Sequence, residues 1–186
     1  MNYYLAPMEG ITTWVYRNAY HKYFYPMDKY FTPFLVPHIH KDFNDREKNE
    51  ILPEHHTGQK LVPQILTNCA EDFVRTANAL KAYGYEEVNL NLGCPSGTVV
   101  SKGRGAGFLR EPEKLDRFFD TVFAKLDMKI SVKTRIGIYE PEEFEGLLEI
   151  YNRYPLEELI IHPRVRQDFY KGRVREDAFA AALPHC

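Results

Sequence analysis

Nothing in this 186-residue sequence approaches the run of ~20 apolar residues that a membrane-spanning helix needs. Its start, Met1 running into "NYYLAPMEG", lacks the basic segment of a secretory signal. Cysteine is scarce and odd in number: Cys69, Cys94 and Cys186. A disulfide framework is therefore not expected, and a reducing, cytoplasmic setting is. Excess positive charge is missing too. Lys and Arg number 24 against 26 Asp and Glu, a formal charge of −2. That excludes a broadly basic nucleic-acid coat, though not a local cationic pocket. Tryptophan is nearly absent at one residue, yet 13 tyrosines bring the aromatic share to 14%, and packing helices onto strands is their plain role. Apolar residues make up 44% of the chain, which suits a packed core. The length suggests a single domain over 1–186.

Six short apolar runs punctuate the chain: "YLAPM", "KYFTPFLV", "LVPQIL", "EEVNLNL", "KISVKTRIG" and "ELIIHPR". Helical periodicity fills the intervals. Over 13–24 it places Tyr16, Ala19, Tyr20 and Tyr23 on one face. Asn68 and Glu71 have capping-box spacing before a stripe of Phe73, Ala77 and Leu80 that ends at Gly84. Pro112 opens a helix with Leu115, Phe118, Phe119, Val122, Phe123 and Leu126 inward. Pro141 opens another with Phe144, Leu147, Leu148 and Tyr151 inward, and "REDAFAAAL" begins a last one. Residues 40–59 read only as a polar stretch.

A β-α pattern repeated about six times predicts an α/β fold with a parallel sheet. A doubly wound sheet and a (β/α)8 barrel compete, and the barrel needs two more units and typically ~250 residues. Chemistry favours an incomplete TIM-type barrel. Glu9, Gln64, Asn91, Cys94, Lys133, Arg135 and His162 fall at or just beyond the carboxyl ends of separate strands. Barrel enzymes gather their reactive groups on that face. Pro33 and Pro63 interrupt strand-like runs and count against regular pairing there.

Cys94 stands between Gly93 and Pro95 where a strand stops. Most free cysteines are small buried hydrophobes. Here the glycine permits close approach and the proline fixes the exit, which aims the thiol into the mouth. An ordinary thiol, with a pKa of about 8.5, is mostly protonated at pH 7 and can serve as an acid; a nucleophile would want a base beside it. Cys69, at a helix start, reads as packing. The loop "SGTVVSKGRGAG" could cradle phosphate, but its glycines match neither a P-loop nor a dinucleotide fingerprint. Lys102 and Arg104 are ordinarily solvated loop charges, or contacts for an anionic polymer. Lys133 and Arg135 alternate, so both point to one side of their strand. A buried lysine needs an anionic partner, either a carboxylate or a ligand. His38, His40, His55 and His56 read as solvated loop histidines rather than metal ligands.

Residues 88–106, "VNLNLGCPSGTVVSKGRGA", resemble the signature of the tRNA-dihydrouridine synthases. "LAPMEGIT", "PQIL", "SVKTRIG" and "IHPRVRQDFYKG" agree with the family in order, so the resemblance covers nearly the whole chain. It implies an FMN-binding barrel followed by a helical RNA-binding domain. Pro7, Met8 and Glu9 would line the flavin, Gln64 would bond its edge, and Lys133 would sit by its N1/O2 side. His162 would contact the flavin or the base. Asn91 and Arg135 would face the uridine, and Cys94 would be its proton donor. Lys102, Arg104, Arg164 and Arg166 would touch phosphates around the mouth. NADPH would be the reductant and tRNA the partner, with no metal and no membrane. The family's last two barrel strands, whose loops hold the FMN phosphate, and its RNA-binding domain have no counterpart here. The expectation is therefore a barrel cut after about its sixth strand.

Other readings predict different outcomes. A flavin barrel acting on free pyrimidines would convert nucleosides. A metal-dependent hydrolase barrel would use His38, His40, Lys133 and His162. An inactive fragment would only bind RNA or a partner.

Overall fold

The computed structural model describes residues 1–182. Cys186 and Leu183, the end of the last predicted helix, lie outside the described residues. The elements follow the chain as β1 (Tyr4–Leu5), α1 (Trp14–Tyr23), β2 (Lys29–Phe31), α2 (Asp45–Ile51), β3 (Leu61–Val62) and β4 (Gln64–Ile65). They continue as α3 (Ala70–Ala82), β5 (Glu87–Leu92), α4 (Gly97–Val100), α5 (Pro112–Lys125), β6 (Lys129–Arg135), α6 (Glu143–Tyr151), β7 (Glu158–His162) and α7 (Glu176–Ala182). All strand pairs are parallel and follow chain order, β1-β2-β3 in one sheet and β4-β5-β6-β7 in another. This is an incomplete barrel-like α/β fold in which β1 and β7 are not paired with each other. Among the described residues no helix is long and apolar enough to cross a membrane.

The prolines act as expected. β2 stops before Pro33, and Pro63, which has no N–H, divides the third run into β3 and β4. An isolated bridge between Leu35 and Ile65 carries the pairing past the break.

Register separates the two faces of the sheet. Val88, Leu90 and Leu92 of β5 alternate with Glu87, Asn89 and Asn91, and β6 alternates likewise. The apolar set is fully buried beneath the helices. Phe73 of α3 and Phe118 of α5 meet edge-to-face at 5.6 Å, and Phe119 meets Tyr151 of α6 at 6.1 Å. Each such ring contributes roughly 1.5–3 kcal/mol through burial. The stripes predicted for α3, α5 and α6 are thus the core.

On β5 and β6 the other face is polar from end to end. At its amino-terminal side Lys29 Nζ lies 2.8 Å from Glu87 and 3.0 Å from Glu158, while the Tyr4 hydroxyl donates to Glu158 at 2.5 Å. This cluster ties β1 and β2 to β5 and β7 across the opening. Burial opposes the charge of Lys29, but its two carboxylates hold its pKa above the usual lysine value.

Three expectations fail. The aromatic face of α1 points outward: Tyr16, Ala19 and Tyr23 are exposed, and Tyr16, Tyr20 and Phe24 form a stacked ladder. The buried residue is Arg17, whose two terminal guanidinium nitrogens donate to Glu50 Oε2 at 2.7 Å, Glu50 O at 2.9 Å and Thr12 O at 3.0 Å, while its Nε is left unpaired. A paired arginine can outcompete an aromatic stripe for the interior. Asn68 and Glu71 form no capping box, because Cys69 is the N-cap and Asn68 instead donates to the Lys102 carbonyl. The box lies in the supposed polar stretch, where Asn44 and Glu47 cap α2 reciprocally.

The Arg17–Glu50 pair generates a stability prediction. Arg17→Met strands a buried carboxylate and is expected to lower unfolding free energy by about 3–5 kcal/mol, whereas pairing it with Glu50→Leu recovers most of that. Urea unfolding of the three proteins tests this; a single variant as stable as the parent contradicts it.

Candidate functional site

The carboxyl ends of the strands surround a cavity of about 270 Å³. Pro7, Met8 and Glu9 reach it from the loop after β1, Gln64 from β4, and Asn91 and Cys94 from β5 and its loop. Lys133 and Arg135 enter from β6 and His162 from β7. Phe34 and Tyr170 complete the wall and were not anticipated. Both sit on irregular segments, where periodicity gives no direction.

The Cys94 loop is built from the end of β5. Asn91 Oδ1 accepts from the Gly93 N–H at 3.1 Å and the Cys94 N–H at 3.0 Å. Arg135 Nε donates to the Gly93 carbonyl at 2.8 Å, and its Nη1 to the Val165 carbonyl at 3.1 Å, so one guanidinium braces two loops. The glycine loop then folds back. Ala106 N–H donates to the Cys94 carbonyl at 3.1 Å, and Gly105 has φ +55. A Cβ there would stand 2.9 Å from the Cys94 carbonyl oxygen and 3.0 Å from its Cβ. The glycine is needed for that close approach. The Cys94 thiol is half-buried and, among the described residues, makes no hydrogen bond to a histidine.

Electrostatics set the cavity apart. Among the described residues the Lys133 ammonium has neither a carboxylate nor a hydrogen-bond partner, and burial followed by repulsion from Arg135 lowers its pKa. Arg164 Nη1 lies 3.1 Å from His162 Nε2. A guanidinium can only donate, so Nε2 accepts and the ring proton is on Nδ1. Burial first, then Arg135, Lys133 and Arg164, push the His162 pKa down to about 4. Its ring is neutral at pH 7 and cannot serve as an acid there. Glu9 reaches the cavity wall but pairs with Arg46 of α2.

The remaining sequence candidates lie off the cavity wall. Lys102 is exposed and Arg104 half-exposed on the neighbouring loop. Arg164 also donates to the Gly172 carbonyl at 2.6 Å, and Arg166 lies over the Phe169 ring at 4.9 Å. Three histidines are not the solvated groups expected. His38 bonds Glu47 at 2.7 Å, His55 stacks on Trp14, and His56 bonds Tyr85 at 3.0 Å. Among the described residues no group of three or more His, Cys, Asp and Glu is placed to hold a metal ion.

The family model for dihydrouridine synthases matches residues 4–181. The chain belongs to the dihydrouridine synthase family. A probable tRNA-dihydrouridine synthase of Staphylococcus aureus is 30% identical over 169 residues, covering 90% of this chain and 51% of the relative. A probable tRNA-dihydrouridine synthase 1 of Synechocystis sp. is 29% identical over 174 residues, covering 91% of this chain and 47% of the relative. The chain thus spans about half the length of these relatives.

The state of His162 has a pH signature. An unfolded histidine takes up its proton near pH 6.5, whereas folded His162 resists until about 4. The unfolded chain therefore binds that proton first, and stability falls as pH drops through this window. His162→Asn is expected to flatten the fall in urea midpoint between pH 6.5 and about 4; an unchanged slope excludes a neutral buried ring.

Proposed function

We propose that this chain is the catalytic portion of an FMN-dependent enzyme that reduces uridines in tRNA to dihydrouridine. The observation that carries the reading is Lys133, a partly buried cation without a counter-charge, facing a cavity shared with Gln64 and Cys94. Burying a lone ammonium is costly unless an anionic or electron-rich ligand completes it. An isoalloxazine edge meets that need.

The residues present fit such a group. Pro7, Met8 and Glu9 would form one wall, and Gln64 would offer a donor and an acceptor to the ring edge. Lys133 would face its N1/O2 side, and neutral His162 could bond the ring or the base without adding charge. Bound FMN, replenished from NADPH, would supply a hydride to C6 of the uracil.

The chain's own groups do the rest. Cys94 releases its thiol proton to C5, so one hydride and one proton saturate the C5–C6 bond. The thiol has no histidine to strip it, which suits an acid better than a nucleophile. Asn91 and Arg135 would lie toward the base, steadying negative charge that develops at its carbonyl. The base must leave its stack to reach this depth, so extrusion from the RNA follows. Lys102, Arg104, Arg164 and Arg166 would meet phosphates at the rim. A cytoplasmic setting accords with a tRNA substrate.

The test is spectroscopic and chemical. The chain should take up FMN with a perturbed yellow absorbance, and Lys133→Met should weaken that binding at least ~tenfold, or 1.4 kcal/mol. In the full-length enzyme, Cys94→Ala should still accept electrons from NADPH yet leave tRNA uridine unreduced. Failure of the full-length enzyme to bind flavin, full turnover by Cys94→Ala, or reduction of free uridine but not tRNA would each overturn the reading.

A further inference from the structure

Three carboxamides and a hydroxyl form one hydrogen-bonded line across the polar face of the sheet. Asn91 Nδ2 donates to Gln64 Oε1 at 2.7 Å, and Gln64 Nε2 donates to Asn89 Oδ1 at 2.8 Å. Asn89 Nδ2 then donates to Ser131 Oγ at 3.0 Å. Asn89 and Ser131 are 0% exposed, Gln64 1% and Asn91 8%. The register makes the line continuous, since Gln64 pairs with Asn89 and Asn89 with Ser131.

The line has a direction, and the backbone sets it. The N–H groups of Gly93 and Cys94 can only donate, so Asn91 must turn its oxygen to them. Its NH₂ then faces Gln64, which must present an oxygen. The Gln64 NH₂ consequently faces the Asn89 oxygen, and the Asn89 NH₂ faces the hydroxyl. Reversing any one amide would set donor against donor or acceptor against acceptor. Gln64 is left with one N–H and one lone pair in a fixed order.

We propose that Asn89 and Ser131, neither of which lines the cavity, are positioning residues that hold Gln64 and the Cys94 loop in one mutual orientation. The purpose of this device rests on the function proposed above; its geometry does not. It links recognition of the cofactor edge to the aim of the thiol through side chains in the sheet interior. A change at Asn89 therefore reaches both ends.

Amide hydrogen exchange and FMN titration of the 186-residue chain test this together. Asn89→Leu keeps the branching and heavy-atom count of the side chain but removes both hydrogen bonds. The Gly93 and Cys94 amides should then exchange at least ~tenfold faster relative to those of Val88 and Leu90, and FMN binding should weaken ~tenfold. Asn89→Asp should restore both, because a carboxyl still accepts from Gln64 and the Ser131 hydroxyl can turn to meet it. Should Asn89→Leu fail to fold, Ser131→Ala must show the same local loosening in milder form. Equal acceleration of all four amides, unchanged Gly93 and Cys94 exchange, or no rescue by Asn89→Asp overturns the proposal. Absence of FMN uptake by the full-length enzyme would instead defeat the function reading, with the exchange result still deciding the positioning role.

Discussion

Two lysines, one on each sheet, meet opposite fates, and the difference organises the molecule. Lys29, at the amino-terminal side, is neutralised by Glu87 and Glu158. Lys133, at the carboxyl side, has Arg135 and a neutral imidazole for its charged and titratable neighbours and no ion pair among the described residues. The register sets Ile160 beside it, where an acidic side chain could have stood. A fold that can supply a carboxylate at one level and withholds it at another has left one charge to be completed from outside. Removing charge from water without a partner is among the more costly things a protein can do, and such imbalances gather at functional sites.

The polar face is stacked in levels between these two lysines. The ion cluster at the base ties the first two strands to the fifth and seventh. The carboxamide line occupies the middle, and the cations and thiol stand at the mouth. Helices cover the apolar face with aromatic packing. That core lies on the opposite face from the site, so changes at the mouth need not disturb it. α2 adds a brace from the side, with Arg46 holding Glu9, Glu47 holding the Val36 amide and His38, and Glu50 holding Arg17.

Much of this was readable from residue order. Alternation in "EVNLNL" and "ISVKTR" marked two strands, and the stripes of α3, α5 and α6 marked their helical cover. Residues from five separate runs converge on one cavity because each lies at a strand's carboxyl end. Other features were hidden for physical reasons. Arg17 is inside because Glu50, 33 residues away, pairs with it, and periodicity cannot see such a partner. α2 is short and polar, held by its cap and ion pairs rather than by an apolar stripe. Asn89 and Ser131 were visible as polar residues in strands, but their connection depends on register. Phe34 and Tyr170 ride on irregular backbone, which no period describes.

The claim that an unneutralised ammonium defines the site can be examined at that nitrogen. A titration followed by NMR of lysine side-chain carbons, with Lys133→Met to assign the signal, reads its protonation directly. The account predicts that Lys133 titrates below an ordinary lysine in the free chain and moves upward when FMN is added. A Lys133 that titrates like a solvated lysine and ignores FMN would contradict it.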